Sequence, residues 1–466
     1  MRPAVEAEKL GIPSVVITTS GFTTLARMLG RSTGIDDLRV AEYPGPMGID
    51  TPAQMQQKLE QHVFDAVVAG LTAPQAASVA ANARTRGPGD IVFTGSLRGV
   101  NAYFARQDWT DGLPVFAPTR ERVDAFLAFT DRAPDDEIGI LPAANLRAVP
   151  LNIAANAIMA GCRPEHMPIL IAAVEALADE KCNLYNIGST SGLVPFLVIN
   201  GPIVRDLDIE FGGQLVSRGP NPAIGRAVGL IVRNIAGFRP GRNYMGTFGY
   251  PLVFTLAEDE STTPWPPFHV DQGFDRAQNT VTIGVTNNWG PTSEPSATPD
   301  MSAADVALEL LCREIPKKFR LYDFPTIGPK AETVMVTLVL SPPVARLLAD
   351  AGYSKQDIRE HVYENARMPL RDYTWITEHT FPRGTTVRQK AEAGVLPQEY
   401  LGGPDDMVRI LKGPEIVHIV VCGDPNRNRL MSFEGGHTVP TTREIRLPHD
   451  WKARLAARDD EEGDIA

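Results

Sequence analysis

The chain has 466 residues, of which 43% are hydrophobic and 22% charged, and its formal net charge is −11. This length and composition are typical of a globular protein with about two or three domains. The acidic balance disfavours nucleic acid and anionic membranes as partners. No apolar run approaches the roughly 20 residues of a membrane span, and no secretion signal opens the sequence, so we expect no membrane association.

The cysteine pattern bears on compartment and on metal binding. The four cysteines are widely spaced and form no Cys-x-x-Cys pair; they are Cys162, Cys182, Cys312 and Cys422. This spacing predicts a reduced, cytoplasmic protein without a metal site. We expect no cofactor, because no strand is followed by Gly-x-Gly-x-x-Gly and no Walker loop is present.

Residues 1–110 alternate strand and helix signals. Strands are predicted at 13–19, 38–43, 64–70 and 90–94, and helices at 1–11, 22–30 and 51–62. Such alternation predicts a parallel, Rossmann-like sheet with helices on its faces. The first helix is of the kind that follows a strand, so the sheet has an open edge. We expect the strong strand at 415–423, or another chain, to complete it.

The rest of the chain divides into three parts. Residues 111–330 are predicted to form a larger α+β domain, 331–457 a C-terminal α/β segment, and 458–466 an acidic, disordered tail. Within the second part, residues 151–160 and 164–177 predict two buried helices, and residues 193–201 a buried strand. A helix with a capping box is predicted to begin after Ser354.

Cys162 is the candidate nucleophile. It lies just before a predicted helix N-terminus, close to Arg163 and His166, and these surroundings lower a thiol pKa. The alternative is a small buried residue that closes a tight turn beside Gly161.

Two further stretches suggest ligand contacts. The loop 188–192 contains Ser189, Thr190 and Ser191 between two glycines, an arrangement that offers donors to an anionic or polar group. Asn200 follows at the end of the next strand. The alternative for this loop is an ordinary turn rich in serine and threonine.

Residues 258–271 bring four carboxylates and one imidazole close together in the sequence. Glu258 and Glu260 are candidate general acids or bases with His269 as their partner. The alternative is a solvated acidic turn with one structural histidine. Trp265, among three prolines, is a candidate pocket wall. Arg147 is a candidate for binding an anionic substrate, or else an ordinary surface ion pair.

Residues 2–22 (RPAVEAEKLGIPSVVITTSGF) resemble the part of the UGSC (seleno)protein family that follows its Sec/Cys-Gly-Ser-Cys tetrad. Residues 111–115, 156–165, 199–202 and 258–270 resemble long bacterial proteins that carry a related module. In UGSC proteins the tetrad implies thiol or selenol redox chemistry. The tetrad is absent from this sequence, so a redox role has no support from the motif itself.

Two functions follow from these patterns. The first is a cysteine-dependent enzyme for a small polar or anionic metabolite, by redox, lyase, acyl-transfer or sulfur-transfer chemistry. Its pocket would lie between the N-terminal segment and the middle domain. The second is a non-catalytic or half-site subunit that pairs with a chain supplying the missing strand and redox motif. We expect a homo- or hetero-oligomer in either case.

Overall fold

The N-terminal segment contains a parallel two-stranded sheet with helices on both faces. In a computed structural model of the chain, the residues described are 2–32, 34–35, 37–74, 89–190, 192–247, 249, 253–290, 292–318, 334–380, 384–436 and 439–463. The elements of this segment are α1 (Arg2–Lys9), β1 (Val16–Thr19), α2 (Thr23–Ser32), β2 (Val40–Tyr43), α3 (Pro52–Lys58) and α4 (Phe64–Thr72). The strands pair in register, with Val16 opposite Val40.

Two predicted strands of this segment are wrong. Residues 64–70 are helical, because α4 continues α3 through a π-helical turn (Leu59–Val63) that packs Val63 against Ala41 and Tyr43. Residues 90–94 form no strand; there Phe93 stacks on Tyr103 with ring centroids 4.8 Å apart. A short apolar run does not by itself distinguish a strand from a helix or a docked loop.

The middle of the chain builds a four-stranded sheet covered by helices. Its helices are α5 (Leu97–Arg106), α6 (Arg120–Leu127), α7 (Pro150–Ala160), α8 (Met167–Ala178), α9 (Ile203–Asp206), α10 (Asn221–Asn234) and α11 (Phe268–Asp271). This part of the chain supplies three strands of that sheet, β5 (Val194–Asn200), β6 (Phe254–Ala257) and β7 (Thr280–Thr286). Two short strands, β3 (Gly139–Leu141) and β4 (Leu146–Ala148), form a separate antiparallel pair. The predicted helices at 151–160 and 164–177 and the predicted strand at 193–201 are confirmed as α7, α8 and β5.

The C-terminal part adds a second, three-stranded sheet. Its helices are α12 (Ala303–Lys318), α13 (Pro342–Asp350), α14 (Lys355–Asn365), α15 (Leu370–Thr380), α16 (Val387–Glu392) and α17 (Trp451–Gly463). The strands of that sheet are β8 (Val334–Leu340), β11 (Val417–Val421) and β12 (Leu430–Gly436). This part also contains β9 (Arg367–Pro369) and β10 (Met407–Arg409), which pair with each other, and β13 (Thr441–Glu444). The capping box predicted at Ser354 is present, with the Ser354 hydroxyl accepting from the Asp357 N–H. Helix α17 runs into the segment expected to be a disordered tail.

The strand order corrects the expectation for the C-terminal strand. One sheet has the order β13–β7–β5–β6 and the other β11–β8–β12, so β11 pairs in parallel with β8 rather than with β1. The chain returns through β13, which closes the edge of the middle sheet.

These two sheets lie back to back between layers of helices. In β5, Leu197 and Ile199 pack in a core with α7, α8 and α10, whereas Phe196 and Val198 pack against Met335 of β8. Alternate residues of β8 (Val336, Leu338 and Leu340) face α12, α13 and α14 instead. A sheet buried on both faces requires apolar side chains on both sides of its strands, which explains the continuous apolar run of β5. Within the described residues, no helix is long and apolar enough to cross a membrane.

Candidate functional site

The structure brings together part of the predicted acid and imidazole site. Asn200 ends β5 and Glu258 follows the parallel strand β6, so both side chains lie at the same edge of the sheet. The Asn200 amide donates to Glu258 Oε2 at 2.8 Å. His269, on α11, has its Nε2 3.7 Å from Glu260 Oε1. Asn200, Glu258 and His269 are all fully buried.

Glu258 is committed to structural hydrogen bonds. Besides Asn200, its carboxylate accepts from the Phe268 N–H at 2.6 Å and from the Val421 N–H at 2.9 Å. Val421 ends β11 in the other sheet, so one carboxylate joins both sheets and α11. A buried carboxylate whose oxygens accept three hydrogen bonds has its polar atoms satisfied and is held in place.

The neighbouring acidic residues have basic partners. Glu260 accepts from Arg276 at 3.0 Å, and Asp271 pairs with both Lys355 (2.9 Å) and Arg359 (2.7 Å). Burial alone would raise the pKa of Asp259, but hydrogen bonds from Arg205 and Ser261 hold this pKa below its usual value. No group of three or more His, Cys, Asp or Glu side chains in the described residues is arranged to hold a metal ion.

Cys162 has surroundings opposite to those expected from the sequence. The residue is half-buried after α7, and burial of the thiol, together with the negative charge of Glu165, raises its pKa despite the opposing charge of Arg226. Arg163, the expected activating cation, pairs instead with Glu165 at 2.8 Å. The charges that act on Cys162 are those of Glu165 and Arg226, and neither residue is among the hydrogen-bond partners of Glu258.

The other two predicted ligand residues serve the fold or the surface. Arg147 is largely exposed and pairs with Glu137 at 2.9 Å. Trp265 is buried in the C-terminal core, where its indole N–H donates to the Tyr353 carbonyl at 3.0 Å. This arrangement gives Trp265 a packing role in that core.

The loop 188–192, in contrast, does border a cavity. The Ser189 hydroxyl is buried and finds no hydrogen-bond partner among the described residues. Thr190 is exposed, and its carbonyl accepts from the Thr247 N–H at 3.2 Å. Ser191 lies outside the described residues, so its predicted role stays a prediction.

This cavity, here named the α2 cavity, has a volume of about 380 Å³ and lies between two segments that are distant in sequence. One wall is the apolar stripe of α2 with the preceding turn. The other combines the turns that follow α8 and α10 with the turn between β3 and β4. The lining residues are Phe22, Leu25, Met28, Leu29, Ala143, Asn183, Tyr185, Asn186, Gly188, Ser189, Phe238 and Asn243.

Most of these lining residues were not predicted. Asn183 adopts a left-handed conformation (φ 51°) between two short 3₁₀ turns, and Asn243 is buried with its amide donating to the Gly237 carbonyl at 2.9 Å. The available signal was the spacing of Leu25, Met28 and Leu29, which continues the apolar face of α2 beyond its own small sheet.

The fold and the cavity define a mixed α/β protein with a small parallel sheet docked on a two-sheet body. Residues 1–73 match the model of the UGSC family, so this segment is related to that family, as the resemblance predicted. No curated protein and no solved structure matches the chain. The α2 wall of the cavity lies inside the matched segment, and the opposite wall lies outside it.

Proposed function

We propose that the protein binds a small, uncharged polar molecule in the α2 cavity. The observation that carries this proposal is the composition of the two walls. One wall is apolar and is formed by Phe22 with Leu25, Met28 and Leu29 of α2. The opposite wall carries polar residues beside Ala143 and Phe238, namely Asn183, Tyr185, Asn186, Ser189 and Asn243. An apolar pocket with a few convergent polar groups is the usual form of a small-molecule site.

The ligand class follows from the charges around the cavity. No Lys, Arg, Asp, Glu or His is among the described residues that line it. Burying an ionised ligand without a counter-charge would cost roughly several kcal/mol. Amide side chains both donate and accept, so they suit carbonyl, hydroxyl or amide groups. A neutral polar ligand is therefore favoured over the anionic alternative.

The hypothesis of a cysteine-dependent enzyme stays a separate prediction. None of the four cysteines lines the α2 cavity. The groups that do line it are suited to binding and orienting a molecule, and a thiol nucleophile would have to come from elsewhere. We accordingly propose binding and assign no reaction.

The test is a ligand screen with a variant that fills the cavity. Saturation-transfer NMR with a library of neutral and anionic metabolites should identify neutral hits on the wild-type protein. Leu25→Trp should abolish these hits because the indole occupies the cavity. The matched control is Thr24→Trp, the same substitution at the adjacent, exposed position of α2, which should retain them.

Two outcomes would reject the proposal. One is that hits bind Leu25→Trp as well as they bind the wild type, and the other is that only anionic compounds bind. Circular dichroism and thermal unfolding of both variants establish that any loss of binding is not a loss of fold.

A further inference from the structure

A second cavity lies beside α8. It has a volume of about 280 Å³ and is bounded by one face of α8, the turn after α6 and the chain that follows β13. Pro168, Ile171, Ala172 and Glu175 line it at the spacing of a single helical face. This space, here named the α8 cavity, shares no described lining residue with the α2 cavity. It is therefore a separate candidate site.

The two cavities differ in charge. The described residues that line the α2 cavity carry no charge, whereas three carboxylates and two guanidinium groups line the α8 cavity. These five residues are Asp131, Arg132, Glu175, Glu444 and Arg446. The way in which these charges pair decides which ligand the α8 cavity suits.

Asp131 is committed to a neighbouring histidine. One of its carboxylate oxygens accepts from the His449 N–H at 3.0 Å, and the other lies 3.1 Å from His449 Nδ1. Both oxygens of Asp131 thus have partners on the protein, which leaves Glu175 and Glu444 as the carboxylates to consider.

Glu175 draws two arginines to one oxygen atom. Its Oε1 lies 3.3 Å from Arg132 Nη2 and 3.5 Å from Arg446 Nη1, and its side chain is only 17% exposed. One carboxylate neutralises only one of the two guanidinium groups. A guanidinium has five N–H donors, and Arg446 forms no hydrogen bond with any residue that the structure describes. The two arginines therefore retain a positive charge and free donors for a carboxylate.

Glu444 carries a negative charge that is not balanced in the same way. It ends β13, where its backbone pairs with Thr280 of β7, and its Oε1 accepts from the Gln278 amide at 3.2 Å. In the described part of the chain, no basic side chain forms an ion pair with this carboxylate. Its backbone position is fixed by the sheet, while its charge is free to pair with a cation.

Glu444 and Arg446 project from the same side of an extended segment. Between them, Ile445 is buried in the core and donates its N–H to the Asn279 carbonyl at 2.7 Å. Alternate residues of an extended chain point to the same side and lie about 6–7 Å apart. Arg446 nevertheless pairs with Glu175. An acidic and a basic group therefore stand side by side at the cavity without neutralising each other.

The separated charges match a zwitterion. A simple anion would satisfy the arginines but leave Glu444 without a cation, and a simple cation would do the reverse. We propose that the α8 cavity binds a free α-amino acid with an aliphatic side chain. The ammonium group of the amino acid pairs with Glu444, and its carboxylate pairs with Arg132 and Arg446.

The size and the floor of the cavity support this class of ligand. A volume of about 280 Å³ is at the lower limit of the roughly 300–1,000 Å³ that is typical of small-molecule sites, so the cavity suits one amino acid and not a peptide. Ile171, Ala172 and Leu447 line it without a polar side-chain group. An aliphatic side chain is therefore favoured over a polar one, which would lose its hydrogen bonds to water there.

Calorimetric titration with L-leucine tests the proposal from the ligand side. L-Leucinamide lacks the carboxylate and N-acetyl-L-leucine lacks the ammonium group, so each compound leaves one charged part of the cavity unpaired. Each should bind at least about tenfold more weakly than L-leucine. Equal binding of either analogue, or no binding of L-leucine at about 10 mM, would overturn the proposal.

Two variants test the proposal from the protein side. Arg446→Gln and Glu444→Gln each remove one charge that lines the cavity, so each should weaken L-leucine binding by about tenfold or more. The matched controls Lys452→Gln and Glu121→Gln remove the same charges from exposed residues outside the cavity and should bind L-leucine as the wild type does. Thermal unfolding establishes that all four variants are folded. Wild-type affinity in both cavity variants would overturn the proposal.

The two cavities are tested independently. Leu25→Trp fills the α2 cavity and should leave L-leucine binding unchanged, whereas Arg446→Gln should leave the binding of uncharged metabolites unchanged. Loss of L-leucine binding in Leu25→Trp would place the amino acid in the α2 cavity and overturn the present proposal.

Discussion

At the residue scale, Glu258 shows what a sequence motif leaves undetermined. Its three hydrogen bonds come from Asn200, Phe268 and Val421, which belong to three different elements. Sequence reasoning singled out Asn200, Glu258 and His269 as candidate site residues. It could not tell a catalytic carboxylate from one that joins two sheets, because Val421 lies 163 residues away in the chain.

Glu258→Gln should destabilise the protein. The amide group of glutamine would face one of the three donors, leaving a buried N–H without an acceptor, at a cost of about 2–4 kcal/mol. Urea unfolding measures this change. Glu260→Gln is the control, because Glu260 pairs with the exposed Arg276 and the loss should stay below about 1 kcal/mol. Normal stability in Glu258→Gln combined with lost function would restore the catalytic interpretation of Glu258.

Cys162 is expected to be unreactive in the native protein. Burial and Glu165 raise the pKa of its thiol, so the thiolate required for alkylation is scarce at neutral pH. Iodoacetamide followed by peptide mass spectrometry should label Cys162 slowly in buffer and rapidly in urea. Glu165→Gln removes a charge that opposes ionisation and should speed native labelling. Fast labelling of the wild-type thiol at neutral pH would instead support the cysteine-dependent enzyme.

At the element scale, agreement between sequence and structure depended on periodicity and length. Helices α7 and α8 were predictable because they are long and almost wholly apolar, and β5 because its short apolar run lies between turn residues. The run 64–70 was not, since seven mostly apolar residues fit a buried strand as well as the exposed helix α4. In the structure this run is helical because a π-helical turn continues α3 directly into α4.

The packing of α10 on β6 gives a test at this scale. A Cβ atom at Gly225 would lie 2.2 Å from the Val253 carbonyl oxygen, whereas at Gly229 its nearest neighbour is a Val253 methyl group at 3.5 Å. Gly225→Ala must therefore push α10 away from the strand, and a loss of about 2–4 kcal/mol is expected. Gly229→Ala, on the same helix, should be neutral or stabilising by up to about 1 kcal/mol. Chemical denaturation of the two variants measures both values, and equal effects would contradict this packing.

At the scale of the whole molecule, the sequence indicated a mixed α/β chain but not its layers. Two sheets lie back to back because β5 and β8 each present one face to the other sheet and one to helices. Both strands read only as apolar runs in the sequence. The α2 cavity was beyond prediction for the same reason, since its walls come from residues 22–29, 143, 183–189 and 238–243.

The stability of the assembled sheets should depend on the charge state of His418. This residue lies on β11 with its ring 5.9 Å from that of Phe268. Burial, together with the positive charges of Arg359 and Lys355, lowers its pKa from 6.5 to about 3. The fold thus favours the neutral imidazole, while the unfolded chain takes up a proton near pH 6.5. The contribution of neutral His418 to the free energy of unfolding is therefore fully present above pH 6.5 and is lost as the pH drops toward 3.

The free energy of unfolding of the wild-type protein should fall by about 1–2 kcal/mol between about pH 7 and pH 5 because of His418, allowing for partial solvent screening. Urea unfolding at the two pH values should show a smaller difference for His418→Gln. The control, His379→Gln on the exposed surface of α15, should keep the wild-type difference. Carboxylates such as Asp259, whose pKa is held below its usual 3.8, lose their stabilising contribution only below this pH window. The change in stability between pH 7 and pH 5 therefore reports on histidine. Equal pH dependence in His418→Gln and the wild type would show that His418 can ionise without cost to the packing of the two sheets.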